Sequence, residues 1–303
     1  MRTVVTGATG FIGKGLVARL RERGHSVATV SRSAEKARSI FGSDVRCLAW
    51  GDTAALRIEV AEADAVCHLA GASVAGERWT PAYKREIRQS RTESTRQLVE
   101  AGPRVLVSAS AVGYYGGCGD DLLTEESGAG EDFLADVCVR WEAAARQAES
   151  GGGRVALVRI GQVLGKGGGT LDAILNPPIA PVSPFRLGLG GMFGSGRQWM
   201  PWVHLSDVLR LFVWCVETES ARGPYNAVSP NPVTNREFTE TLGRVLRRPT
   251  AIPVPAIALR ALLGEFAEYV LYSQRVVPRR TTEQGFRFRF PRLEDTLRDL
   301  LEN

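Results

Sequence analysis

Three glycines at spacings of three, Gly7, Gly10 and Gly13 in "GATGFIG", follow the short apolar run Val4-Val5 at the start of the chain. Glycines in this pattern can hold a phosphate. One permits a tight turn, one lets the backbone approach a pyrophosphate with no Cβ in the way, and one lets the next helix pack close to the sheet. The pyrophosphate then meets the free N–H groups of the helix start, here Phe11, Ile12 and Gly13 after Thr9 and Gly10. A second group, Ser31-Arg32-Ser33, ends the next apolar run, and no carboxylate follows until Glu35. An acidic residue there would bind the ribose 2′-hydroxyl of NAD, whereas a guanidinium among hydroxyls suits a 2′-phosphate. The pattern predicts NADP(H). A third group, Ser108, Ser110, Tyr114 and Tyr115 in "SASAVGYYG", offers hydroxyls and phenols.

The elements that position these groups are legible as well. Residues 2–6 read as a strand, residues 14–23 as a helix stopped by Gly24, and residues 26–31 as a second strand. The glycines therefore lie inside a βαβ unit, which makes the motif specific. Further strands are expected at 45–50 and 64–71. The latter ends in Leu69-Ala70-Gly71, small enough at its tip for a ligand to lie against the backbone, and His68 within it reads as a core residue. A helix over 81–101 starts at Pro81 and carries Glu86, Ser90 and Arg91. A strand over 104–116 would bring the third group to the carboxyl edge of the sheet, where ligands bind in open parallel sheets. The fold class is α/β, with a Rossmann-type doubly wound parallel sheet.

In the second half, strands are expected at 154–165 and at "PYNAVS". Ser206 is expected to cap a helix over 206–217, Thr234 to cap the next, and a long apolar helix to run near 256–272. Between them lies a glycine-rich loop with Phe193, Trp199 and Trp202, beside Gln198 and His204. Such a loop can wall a cleft.

Composition excludes several classes. The 303 residues are 44% hydrophobic and 23% charged, with a net charge of +5 spread along the chain, so nucleic acid is not implied. The densest basic cluster, in the tail, reads as a solvated face or as a site for an anionic partner. Five cysteines without a CxxC pair suggest neither disulfides nor zinc, and fit a cytoplasmic or other reducing intracellular compartment. No apolar run approaches the ~18 residues of a membrane span. The opening strand leaves no room for a targeting segment. Nothing fixes the oligomeric state.

Taken together, GATGFIG, HLAG, SASAVGYYG, PWVHLSD and GPYNAVSPNPVTNREF resemble the extended short-chain dehydrogenase/reductase superfamily. RWEAAA at 140–145, GKGGG at 165–169, PFRLGLGG at 184–191, GSGRQWMPWVH at 194–204 and VPRRTTEQGFRFRFP near the tail resemble its atypical epimerase-family branch. The resemblance runs nearly end to end. It implies a dinucleotide-binding domain over 1–165, completed by about 203–230, and a smaller substrate portion from 166–202 and 231–303. It also implies that Ser110 is the serine that hydrogen-bonds substrate. Glu86, Arg91, Arg159 and Val163 would then lie by the cofactor or substrate.

Two departures stand out. The superfamily's Tyr-x-x-x-Lys pair is missing: counting back from Glu142, Cys138 holds the lysine position and Leu134 the tyrosine position, and no lysine occurs between Lys84 and Lys166. The segment NPPIAPVS at 176–183 interrupts an otherwise continuous pattern and reads as an inserted loop. Two readings follow. One is an NADP(H)-dependent oxidoreductase or epimerase acting on a small carbonyl or sugar-like compound through Ser110 and Tyr114. The other is an NADP(H)-binding sensor or interaction protein without turnover.

Overall fold

A computed structural model describes residues 1–177 and 182–302. Seven parallel strands form one sheet: β1 (Arg2–Thr6), β2 (Ser26–Ser31), β3 (Arg46–Ala49), β4 (Ala65–His68), β5 (Val105–Ala111), β7 (Arg154–Ile160) and β11 (Gly223–Ala227). Their order is β11-β7-β5-β4-β1-β2-β3. The chain winds outward from β1 in one direction through β2 and β3, and in the other from β4 onward. The crevice between β1 and β4 is thus the switch point at which open α/β sheets bind ligands.

The strands are buried on both faces, so they read as apolar runs rather than alternations. On one face α1 (Phe11–Glu22) and α7 (Leu205–Glu217) cover Val5, Cys67 and Val107 with Leu16, Leu20, Leu211 and Phe212. On the other, α3 (Thr53–Glu62), α4 (Pro81–Glu100) and α5 (Phe133–Arg146) cover Val4, Val66, Leu106 and Leu157 with Leu56, Val60, Leu98 and Ala145. Helix α2 (Ala34–Phe41) follows β2 and packs on β3. Helix α4 begins at Pro81 with the Thr80 hydroxyl accepting from Tyr83 N–H.

The later chain adds α6 (Gly169–Leu175), α8 (Asn235–Leu246), α9 (Ala256–Leu263), α10 (Ala267–Leu271), α11 (Arg279–Glu283) and α12 (Leu293–Leu301). Three two-stranded ribbons join them: β6 (Leu122–Leu123) with β13 (Arg275–Val276), β8 (Gln162–Gly165) with β10 (Trp202–His204), and β9 (Trp199–Met200) with β12 (Val233–Thr234). Phe185, Trp202, Phe238, Leu242, Leu297 and Leu300 share a separate apolar cluster. Thr234 and Glu237 form the capping box that starts α8.

Four expectations are corrected in detail. The strand expected over 104–116 ends at Ala111; Val112–Tyr115 form a 3₁₀ turn ending at Gly116, whose φ of +67° favours glycine. Buried Gln274 donates to the Val112 and Gly116 carbonyls and fixes that turn. The strand expected over 154–165 breaks at Gly161, where a Cβ would collide with the Pro201 carbonyl. Helix α7 starts one residue early and is capped not by Ser206 but by His204, whose Nδ1 accepts from Ser206 N–H at 2.9 Å. The long helix near 256–272 is broken by Gly264, at φ +61°. Of the segment 176–183, residues 178–181 lie outside the described residues.

His68 is a core residue. It is fully buried on β4, between the hydroxyls of Thr6 (2.7 Å) and Thr95 (3.0 Å). Burial, with the Arg91 charge nearby, pushes its pKa down to about 3. Because the folded value lies below the unfolded one, this contribution to stability is present above pH ~6.5 and is lost as pH falls through the interval toward 3. The loss should reach about 1 kcal/mol near pH 5.5. His68→Gln should show a smaller difference between urea melts at pH 7 and pH 5.5; an equal acid loss in both proteins would refute the assignment.

Candidate functional site

The glycine turn lies in the β1/β4 crevice, and each glycine has its own reason. Gly7 has φ +65°, and a side chain there would meet the Leu69 carbonyl at 2.7 Å and Ala70 N at 2.9 Å. Leu69 and Ala70 are therefore packed directly against the turn. A Cβ on Gly13 would strike the backbone of Gly7 and Ala8, so Gly13 seats α1 on the turn. Gly10 differs: a Cβ there approaches only the Gly7 carbonyl, at 3.2 Å, and otherwise points into open space. Gly10 is also the N-cap of α1, which has no side-chain cap and no acid in its first turn. The helix start keeps its N–H groups for an anion. Thr9 is half-buried in the same turn.

Phe11 opens α1, and its ring is enclosed by a later segment. A Cβ on Gly165, Gly168 or Gly169 would come within 2.6–2.8 Å of ring atoms. The GKGGG motif thus covers Phe11, with buried Val163 on β8 just before it. Ile12 packs beside them, partly buried.

At the end of β2, Arg32 is exposed and has no ion-pair partner among the described residues. The buried Ser31 hydroxyl donates to the Ser33 carbonyl at 2.7 Å, which shapes the bend. Ser33 caps α2, accepting from Lys36 N–H, and keeps its own proton to donate. An anion beside Arg32 would also meet the start of α2.

The carboxyl ends of β5 and β7 carry a buried polar cluster. Register places Ser110 beside Arg159, and Arg159 beside Asn226. Ser110 Oγ donates to Glu142 Oε1 at 2.8 Å. Arg159 donates to both Glu142 oxygens, at 2.8 and 2.9 Å, and to the Tyr115 hydroxyl at 3.0 Å. Tyr115 in turn donates to Asn226. Burial opposes the Arg159 charge, yet the bonds from Glu142 and Tyr115 hold it firmly protonated. Burial pushes the Tyr115 phenol up to about 12, which makes it a poor base. Tyr114 is half-buried, and the Arg159 guanidinium lies flat on its ring, 3.4 Å from the centroid. The phenol nearest a cation is therefore Tyr114, and the cation is Arg159. The cluster can hold a hydroxyl and a phenol in fixed positions beside the cofactor crevice.

Placement of the remaining residues is uneven. Ser108 is fully buried and donates to the Ala109 carbonyl, inside the sheet rather than at its rim. Glu86 is exposed on α4, whereas Arg91 turns inward; five residues on a helix separate two side chains by roughly 140°. The Arg91 guanidinium lies against Gly71, where a Cβ would sit 3.1 Å from its carbon. It also lies over the Trp141 ring, at 5.1 Å, and bonds the Ile87 carbonyl. Leu134 and Cys138 flank Gly113, so the two positions of the missing pair do face the site. Glu142 served only as a ruler in the sequence, yet it is the residue that ties Ser110 to Arg159. A carboxylate among the apolar positions of α5 was its only signal. Among the described residues no group of three or more His, Cys, Asp or Glu could hold a metal ion, and no helix is long and apolar enough to cross a membrane.

A seven-stranded parallel sheet with a glycine turn at its switch point, and a serine at the end of β5, defines an extended short-chain dehydrogenase/reductase fold. The chain belongs to the NAD dependent epimerase/dehydratase family: the family model matches residues 3–228, and that of a domain of unknown function, DUF1731, matches residues 254–300. The Arabidopsis thaliana protein named "Epimerase family protein SDR39U1 homolog, chloroplastic" is 42% identical, over 100% of this chain and 87% of its own length. The Bacillus subtilis epimerase family protein YfhF is 35% identical over 99% and 98%. The crystal structure of human epimerase family protein SDR39U1 (isoform 2) with NADPH superposes with a TM-score of 0.86, at 34% identity, covering 100% of both chains.

Proposed function

We propose that this chain is an NADP(H)-dependent oxidoreductase or epimerase acting on a small carbonyl or sugar-like compound. One observation carries the reading: Gly10, the open start of α1 and the unpaired Arg32 lie along one carboxyl edge of the sheet with the Ser110–Tyr114 cluster. Gly7, Thr9 and Gly10 with the first residues of α1 would hold the pyrophosphate, and Leu69–Gly71 would wall the crevice. Arg32 and Ser33 would take the 2′-phosphate, as a guanidinium does with bidentate bonds. The structure solved with NADPH belongs to a relative that is 34% identical, which supports the same cofactor here. When bound, NADP(H) supplies the hydride chemistry, and the protein orients and polarises. Ser110, held by Glu142, presents its remaining lone pairs, and Tyr114 on Arg159 presents its phenol. Residues 1–165 with 203–230 would carry the cofactor, and 166–202 with 231–303 the substrate side.

The test is NADPH consumption, followed by absorbance, against a panel of small aldehydes, ketones and keto-sugars. Turnover abolished by Ser110→Ala is the expected result. Tight NADPH binding with no turnover across the panel would favour the sensor reading instead.

A further inference from the structure

We propose that Arg91 is the cation that this chain sets against the ribose end of the bound dinucleotide, reaching from α4 into space that the wider superfamily fills with a lysine from α5. The inference rests on the NADP(H) reading above.

Three contacts fix the guanidinium. Gly71, just past β4, lies beneath it; Trp141 on α5 lies across it; and the Ile87 carbonyl accepts from Nη1 at 2.9 Å. Cys138, at the superfamily's lysine position, is one turn before Trp141 and interacts electrostatically with the guanidinium. No carboxylate pairs with Arg91 among the described residues, in a chain where Arg2, Arg23, Arg46, Arg88, Arg140, Arg159 and Arg210 all have one.

The surroundings are rich in donors and poor in acceptors. Arg91 brings five N–H groups and uses one on Ile87. The buried Trp141 Nε1 beside it has no partner. The Cys138 thiol stays neutral, because burial pushes it up to about 12, so it gives no counter-charge. A desolvated cation without an anion is costly unless a ligand supplies oxygen acceptors. Ribose hydroxyls and phosphate oxygens at the switch-point crevice are acceptors of that kind. Gly71 is needed for the same reason, since a side chain would displace the guanidinium.

The test is NADPH binding by calorimetry to wild type, Arg91→Gln, Arg91→Lys, Cys138→Lys and the double variant Arg91→Gln/Cys138→Lys. Arg91→Gln should weaken binding about ten-fold, and Arg91→Lys should stay within about three-fold of wild type. Cys138→Lys should restore affinity when combined with Arg91→Gln, because the new ammonium enters the vacated space, and should weaken it in wild type, where two cations would compete. A merely structural arginine would not produce that reversal. Arg91→Gln binding NADPH as tightly as wild type overturns the proposal, as does a Cys138→Lys effect of the same sign in both backgrounds. If the lysine variants fail to fold, the comparison of Arg91→Gln with wild type alone decides. Failure of the NADP(H) reading is separate: wild type itself would then bind no NADPH.

Discussion

Gly10→Val is expected to reduce NADPH binding at least a hundred-fold while the protein stays folded. At φ −76° and ψ 175° Gly10 is extended, a conformation open to valine. The added Cβ meets only the Gly7 carbonyl at 3.2 Å, a contact relieved by a shift of a few tenths of an ångström. What the side chain fills is the open space before the α1 N–H groups, where the pyrophosphate would lie. A hundred-fold loss is about 2.8 kcal/mol, and an excluded phosphate forfeits several charge-assisted bonds at once. The same change at Gly13 would collide with the backbone of the turn itself and should unfold the N-terminal unit. Calorimetric titration with a thermal melt checks both halves of the prediction. Unchanged affinity in a folded Gly10→Val protein would show that the turn is only a corner.

The second large effect is expected at Arg32. Replacement by alanine should weaken NADPH by about 2 kcal/mol, roughly thirty-fold, the scale of a lost charged hydrogen bond, and barely move NADH. The arginine is exposed, so salt should erode the preference for the phosphorylated cofactor in wild type and not in the variant. Ser33→Ala should have a smaller effect of mixed origin, because that hydroxyl also caps α2. Both cofactors titrated against both proteins at two ionic strengths settle the matter. Equal losses for NADPH and NADH, or a wild type that prefers NADH, would remove Arg32 from the site.

The cofactor half was legible because its signals are local. Gly7, Gly10 and Gly13 each answer to a backbone clash or an open space within the same βαβ unit, so their spacing carried the information. Element ends were less legible where tertiary bonds override local cues. Ser206 has the chemistry of a cap, yet the His204 ring takes that place because β10 delivers it there. Gln274, far along the chain, decides where β5 stops. The chemistry at the strand ends was the least legible. The pairing of Glu142 with Arg159 joins α5 to β7, and neither residue carries a mark of it in the sequence. Glu86 and Arg91 read as neighbours on one helix; only the packing of α4 on α5 shows that one faces solvent and the other the crevice.

The enclosure of Phe11 by Gly165, Gly168 and Gly169 bears on how the protein is made. The first turn of the nucleotide crevice leaves the ribosome early, but the segment that shields its leading aromatic ring is synthesised only after β7, when a single strand of the main sheet is still to come. The order β11-β7-β5-β4-β1 likewise puts the first strand mid-sheet, beside a partner made later. Contacts between such distant parts of the chain slow folding, since long loops must close before they are rewarded. A nascent chain ending before residue 165 should therefore expose Phe11 and recruit chaperones, and nucleotide-binding ability should arise late in synthesis rather than with the motif that encodes it.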